Sequence, residues 1–317
     1  MMKKTSLKAR STAICKALTA SFVLASSAIT VHAAPIDFNY TGAMQTFTVL
    51  ASGSYSILGL GAQGGFSGSG VAGGKGAQVG ATFSLLSGHV LNIYVGGQGG
   101  LGGPSFGGYG GGGGGGSWVY NATTSSLLLV AGGGGGGYTG NVGGAGLSSL
   151  GGGGFGGTGS NAIGGGGGGF NGPGASAMGG AGFPTLTGGN TIWGGGAKGG
   201  FGGGGASGGY GAGGGGGFNG GNAGIPSTGG TSFVAPTGAV YVQSDGFSSS
   251  TSHGLVQITS ISAVPEPQAY LMMALGLAGL VVVAKRRKAN QPAQDKPDAC
   301  SAQEPDPAAP GLPRKHL

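Results

Sequence analysis

A mainly β fold is what this sequence predicts: an antiparallel, sandwich-like frame carrying a glycine-rich array of polyglycine- or polyproline-II-like helices, plus one transmembrane helix near the C-terminus. Three observations predict it. Apolar residues alternate with polar ones in several short segments. Glycine supplies 86 of the 317 residues, against ~7 % in ordinary proteins. A 16-residue uncharged apolar run, Ala269 to Ala284, is followed at once by Lys285-Arg286-Arg287-Lys288.

Val79, Ala81, Phe83 and Leu85 alternate with Gly80, Thr82 and Ser84, and Leu91, Ile93 and Val95 alternate with Asn92 and Tyr94. A period of two puts one side of each segment in a core. Phe47–Leu50 and Tyr55–Leu58 are rich in aromatic and β-branched residues, and further strands are expected at 117–120, 127–130, 240–243 and 255–259. Ser87-Gly88 reads as a hairpin turn between two of them.

From Gly96 to Gly230 glycine dominates, with runs at 110–116, 132–137, 164–169 and 213–217. Collagen is excluded, because no three-residue period with proline exists. A flexible linker is one reading, since glycine loses the most backbone entropy on folding. The runs are punctuated, however, by Phe155, Phe170, Phe183, Trp193, Phe201, Tyr210 and Phe218. Repeated large rings point to burial between layers, and bare backbones can approach closely enough to exchange hydrogen bonds. An ordered array is therefore expected.

The two ends read as address labels. A basic stretch through Lys16, an apolar run from Ala17 to Val31 and the small residues of Val31-His32-Ala33 form a secretory signal peptide, with cleavage expected after Ala33. The uncharged run near the C-terminus, extended by Gln268 or by a snorkelling Lys285, is expected to span the membrane, with the basic cluster on the cytoplasmic side. The organisation expected is thus 1–33 signal peptide, 34–263 glycine-rich β domain, 264–288 sorting signal and 289–317 disordered tail.

Charge is confined to those ends. The chain carries a net +7, yet between Ala34 and Ala263 the only basic residues are Lys75 and Lys198 and the only acidic ones Asp37 and Asp245. Phosphate binding needs several Lys or Arg on one face, so no nucleic-acid partner is expected. Cys15 and Cys300 both lie outside this body, so no disulfide staples it.

The body is equally poor in reactive groups: Asp37, Asp245, His89 and His253 are its titratable acids and bases of catalytic type. A Ser-His-Asp arrangement through Asp245 and His253 is conceivable, but both sit in the serine-rich stretch DGFSSSTSHG, which reads more simply as a polar surface turn. No metal site is expected from two histidines without metal-ligand spacing. The many GxGxxG matches arise by chance in so much glycine, and Gly73-Gly74-Lys75-Gly76 lacks the Ser or Thr of a phosphate loop. No cofactor and no catalysis are expected.

Two resemblances add to this. Val264-Pro265-Glu266-Pro267, the apolar run and Arg286-Arg287 resemble a PEP-CTERM sorting signal. That resemblance implies processing by an exosortase-type membrane peptidase after signal peptidase has acted. It implies passage through the inner membrane to the cell surface or an exopolysaccharide matrix. The family usually ends soon after the basic cluster, whereas this chain continues to Leu317. The phrases FTVLASGSYSILGLGAQGG, GGKGAQVGATFSLLSGHVLNIYVGGQGG, GGGGGGSWVY, LLLVAGGGGGG and GLVQIT resemble, in order, the glycine-rich domain of the anaplastic lymphoma and leukocyte receptor kinases. This implies a β-sandwich-like frame enclosing glycine helices and no kinase activity, since the HRD and DFG triplets are absent. The expected role is a structural or interaction protein contacting polysaccharide or itself, with an adhesin or specific ligand-binding module as the alternative.

Overall fold

The structure is a computed structural model, and it describes residues 34–104, 109–247, 252–261 and 267–289. The expected signal peptide with its cleavage point Ala33, the sorting residues Val264, Pro265 and Glu266, and the tail beyond Ala289 lie outside the described residues. The chain divides into two compact units, 1–264 and 265–317, each described by itself.

The first unit is built on eleven strands: β1 (Ile36–Asn39), β2 (Met44–Thr48), β3 (Gly53–Leu60), β4 (Gln78–Leu85), β5 (Val90–Tyr94), β6 (Ser117–Asn121), β7 (Ser126–Ala131), β8 (Leu147–Leu150), β9 (Thr231–Val234), β10 (Ala239–Ser244) and β11 (Leu255–Ser260). They form two sheets, β1-β11-β3-β4-β10 and β2-β5-β6-β7-β9-β8. Every named pair is antiparallel except β8 with β9. The expected alternation holds: Val79, Ala81, Phe83 and Leu85 of β4 all face inward. They meet Ile57 of β3 and Leu91, Ile93, Val119 and Leu129 of the opposite sheet, so the apolar faces of two sheets make one core.

β1, β8 and β9 were not foreseen. Each is four residues long, too short to show a period of two. β1 is instead held by its partner: Ile36, Asp37, Phe38 and Asn39 pair with Ile258, Gln257, Val256 and Leu255, a contact across more than two hundred residues.

The expected hairpin at Ser87-Gly88 is corrected. A turn is there, with the His89 N–H donating to the Leu86 carbonyl at 3.1 Å and Gly88 at φ +87°, a conformation that favours glycine. But β4 and β5 belong to different sheets, so the turn crosses the sandwich. The strand that pairs with β4 is β3, with Gly53 opposite Leu85 and Leu60 opposite Gln78, although a glycine-rich excursion over 61–77 separates them.

The second unit contains the helix α1 (Pro267–Ala289), where a helix was expected. Its uncharged part, Ala269–Ala284, extends about 24 Å at 1.5 Å per residue, against ~30 Å of hydrocarbon. Among the described residues no helix is long and apolar enough to cross a membrane, which corrects the expectation of a transmembrane helix. Arg286 and Arg287 are exposed near its end.

The core predicts its own sensitivity. Leu129 is fully buried, so Leu129→Ala should lower unfolding free energy by ~2–5 kcal/mol, measured by urea denaturation of the chain beginning at Ala34. Exposed Leu150→Ala should change it by less than ~0.5 kcal/mol.

Candidate interaction surface and sorting segment

The glycine segments are stitched together by their own backbones. The N–H groups of Gly111 and Gly114 donate to the carbonyls of Gly137 and Gly134, those of Gly112 and Gly115 to Gly100 and Gly97, and those of Gly113 and Gly116 to Gly205 and Gly202, at 2.7–3.0 Å. Three neighbours are thus served in strict rotation, each at every third residue. Segment 133–137 repeats the rule: Gly133 and Gly136 donate to Gly216 and Gly213, Gly134 and Gly137 to Ala62 and Gly65, and Gly135 to Gly144. Gly213 and Gly216 donate to Gly111 and Gly114, and Gly214 and Gly217 to Gly165 and Gly168.

Such contacts exist only because side chains are missing. A Cβ added at Gly113 would fall on the Gly214 carbonyl, and one at Gly136 on that of Gly111. The buried peptide groups, costly if unpaired, are satisfied laterally by neighbours and not by a helix or a ladder.

The array also covers the outer face of the second sheet. Phe170, Phe183, Phe201 and Phe218, with buried Leu186, pack on Tyr94, Trp118, Tyr120, Val130 and Phe233. A continuous row of rings results: Phe233 to Phe218 at 4.6 Å, Phe218 to Phe170 at 5.9 Å, Phe170 to Phe183 at 5.4 Å, Phe183 to Tyr94 at 6.0 Å and Tyr94 to Phe201 at 6.5 Å. These spacings are those of favourable aromatic pairs. Burial first, and the nearby Tyr120 second, push the Tyr94 phenol above its ordinary pKa. Trp118 Nε1 is buried with no acceptor among the described residues, which leaves that N–H uncompensated by them.

The expectation that all seven punctuating rings are buried is corrected for three. Phe155 is 69 % exposed, Tyr210 67 % and Trp193 39 %. Trp193 is nevertheless fixed, since its Nε1 donates to the Asn161 carbonyl at 2.7 Å. An open groove of about 360 Å³ lies beside the buried row, walled by Phe170, Phe183 and Pro173, with Asn171 and Thr185 as its side-chain polar groups.

Asp245 and His253 are held by different partners. Asp245 accepts from the Ser148 N–H, and that bond holds its carboxyl below the ordinary range. His253 Nδ1 accepts from the Gln98 N–H at 3.0 Å, and its ring stacks on Tyr40 at 4.3 Å. Burial pushes its pKa down. His89 Nδ1 lies 3.1 Å from Asn121 Nδ2, and Asn121 Oδ1 accepts from the N–H groups of Thr123 and Thr124. These groups secure turns and segment junctions. No cluster of three or more His, Cys, Asp or Glu side chains that could hold a metal occurs among the described residues.

The C-terminal segment supplies a likeness to known proteins. Residues 263–288 match the PEP-CTERM protein-sorting motif. No curated protein matches the chain. The PEP-CTERM segment contains Val264, Pro265, Glu266, Pro267, Arg286 and Arg287, the residues singled out from the sequence. It indicates exosortase-dependent sorting to the cell surface, export with transient membrane anchoring through the C-terminal region, and processing by an exosortase-type membrane protease.

Two predictions follow from the body. Gly113→Ala should cost ~3 kcal/mol or more, because backbone cannot give way as a side chain can. Gly172→Ala, where a Cβ meets open space, should cost under ~0.5 kcal/mol; thermal melts of both variants check this. The second concerns pH. The folded state disfavours charged His253, so stability is complete above the ordinary pKa of 6.5. It falls below that value until the folded-state ring also charges. Melts between pH 7.5 and 5 should show the loss, and His253→Asn should flatten it.

Proposed function

We propose that the exported body is a non-catalytic structural or interaction protein of the cell surface or extracellular matrix. Its glycine segments would act as packed helices of three residues per turn, of the polyglycine or polyproline-II kind. The observation that carries this is the rotation of hydrogen bonds among three neighbours: a helix with three residues per turn points successive N–H groups in three directions. The result is a stiff layer of backbone with almost no charge, bearing exposed Phe155, Tyr210 and Trp193. Flat rings and amides without charge suit neutral polysaccharide contact or self-association. Few reactive groups exist in the body, and Asp245 and His253 are committed to structural contacts, which supports a role without catalysis. The likeness to the glycine-rich domain of the receptor kinases is one of ordered phrases and lends no activity.

A second reading, an adhesin or specific ligand-binding module, is favoured by one feature, the groove between Phe170 and Phe183 with Asn171 and Thr185 at hand. Aromatic walls with a few polar groups are the usual make-up of a small-molecule site.

Fractionation tests the main reading: the body should be recovered from the surface or medium, and recovery from the cytoplasm alone would end it. Binding to purified extracellular polysaccharide separates the two readings. Weak multivalent retention, unchanged in Asn171→Ala/Thr185→Ala, supports a scaffold. A saturable one-site isotherm weakened about tenfold or more by that double variant, one hydrogen bond to each side chain being worth ~1 kcal/mol, supports the adhesin.

A further inference from the structure

The sandwich has two unlike ends. Five connections are four residues long, and the register places four of them, 49–52, 86–89, 122–125 and 235–238, together at one end, with 40–43 at the other. Gly53, at the start of β3, lies opposite Leu85, at the end of β4, and Leu91, near the start of β5, lies opposite Asn121, at the end of β6. The glycine-rich excursions, 61–77, 95–116 and 132–230, all leave from and return to the other end, where Leu60 is opposite Gln78 and Ser117 opposite Ala131.

Both chain exits lie at the short-turn end. Ile36 pairs with Ile258, Ser260 with Tyr55, and the Ile261 N–H donates to the Ser54 carbonyl at 2.9 Å. Only five residues separate Ile261 from Pro267, the first residue of α1. A chain of that length, fully extended, reaches about 20 Å. The end that carries the short turns is therefore on a short tether to the segment that anchors the protein.

That end differs from the other in charge and not in exposed apolar side chains, since Leu101, Val142 and Phe155 on the excursions are exposed as well. Leu50 is 86 % exposed and Leu86 61 %, and the turns that carry them are tied to each other. The Val49 N–H donates to His89 O and the Gly88 N–H to Val49 O, the Ser87 N–H to Ser52 Oγ and Ser87 Oγ to Leu50 O. The four short turns contain no Asp, Glu, Lys or Arg. Lys75, Lys198 and Asp245 lie on connections at the opposite end, and Asp37 accepts from Gln257 Nε2 on the edge of the first sheet.

We propose that the short-turn end is the face this protein lays on the lipid bilayer while its C-terminal segment is anchored. Leu50 and Leu86 enter the interface, and the points where the glycine segments leave the frame lie at the opposite end. The occupant is a bilayer because the tether that ends at this face leads to the PEP-CTERM segment, and because rigid turns with exposed leucines and no charge are what an interface accepts. Two leucines bind lipid weakly alone. A tether of five residues makes the second contact intramolecular, at high effective concentration. The proposal rests on the exported, anchored state and adds an orientation to it.

The test uses the chain from Ala34 to Leu317 with Cys300→Ser and a single fluorescent label at Leu50→Cys, Leu86→Cys or Val142→Cys. Val142 is 63 % exposed on a glycine excursion. The protein is reconstituted into phosphatidylethanolamine–phosphatidylglycerol vesicles with and without nitroxide-labelled lipid. Circular dichroism checks that each variant folds. Lipid nitroxide should quench labels at 50 and 86 severalfold more than the label at 142. Equal quenching at all three sites, with the chain still floating with vesicles, overturns the orientation and leaves export intact. Greater quenching at 142 also overturns it. Failure to float removes the anchoring and the proposal with it. A label insensitive to lipid nitroxide but buried on self-association would shift in both vesicle types and count against lipid contact.

Discussion

Backbone hydrogen bonding between bare glycine segments, close enough that a single methyl group would collide with a neighbour's carbonyl, is the constraint on which the rest of this molecule depends. An ordinary domain buries peptide groups by pairing them within a helix or between strands. Here each segment serves three neighbours in turn, for example Gly137, Gly100 and Gly205 from three successive residues of one run. The glycine runs themselves have no side chains with which to form a hydrophobic core. They therefore need a frame to lean on, and the Phe170, Phe183 and Phe218 rings seated on the second sheet supply the contact.

The same constraint explains the low charge of the body. A charged side chain inside the array would lose water without gaining a partner. Lys75 and Lys198, the two that remain, are exposed. Charge is left to the terminal segments, where a basic cluster follows the apolar run. Transport and architecture thus occupy different parts of the chain and use opposite chemistry.

Topology gives that division a direction. The excursions leave from one end of the sandwich, and the chain exits lie at the other. An edge strand formed by the first residues of the body, β1, closes on β11, the last strand before the sorting segment. The sheet is complete only when the whole body is present.

The sequence by itself determined the strands long enough to show a period of two, such as β4, and the C-terminal sorting segment, because both signals are local. It also determined the charge placement and the absence of thiols in the body. Short strands such as β1 carried too few residues for periodicity. The role of Ser87-Gly88 was misread because a turn fixes chain reversal but not which sheet the next strand joins. Which rings are buried was likewise undecided: Phe183 and Trp193 look alike in sequence, and only the placement of their segments over or beyond the second sheet distinguishes them. The groove beside Phe170 had no sequence signal, since it arises from two segments meeting across the array. The apolar run of α1 was legible, but its length relative to a bilayer is a matter of a few residues. Tertiary structure decided all contacts that join distant segments, because a glycine has no side chain with which to announce its partner.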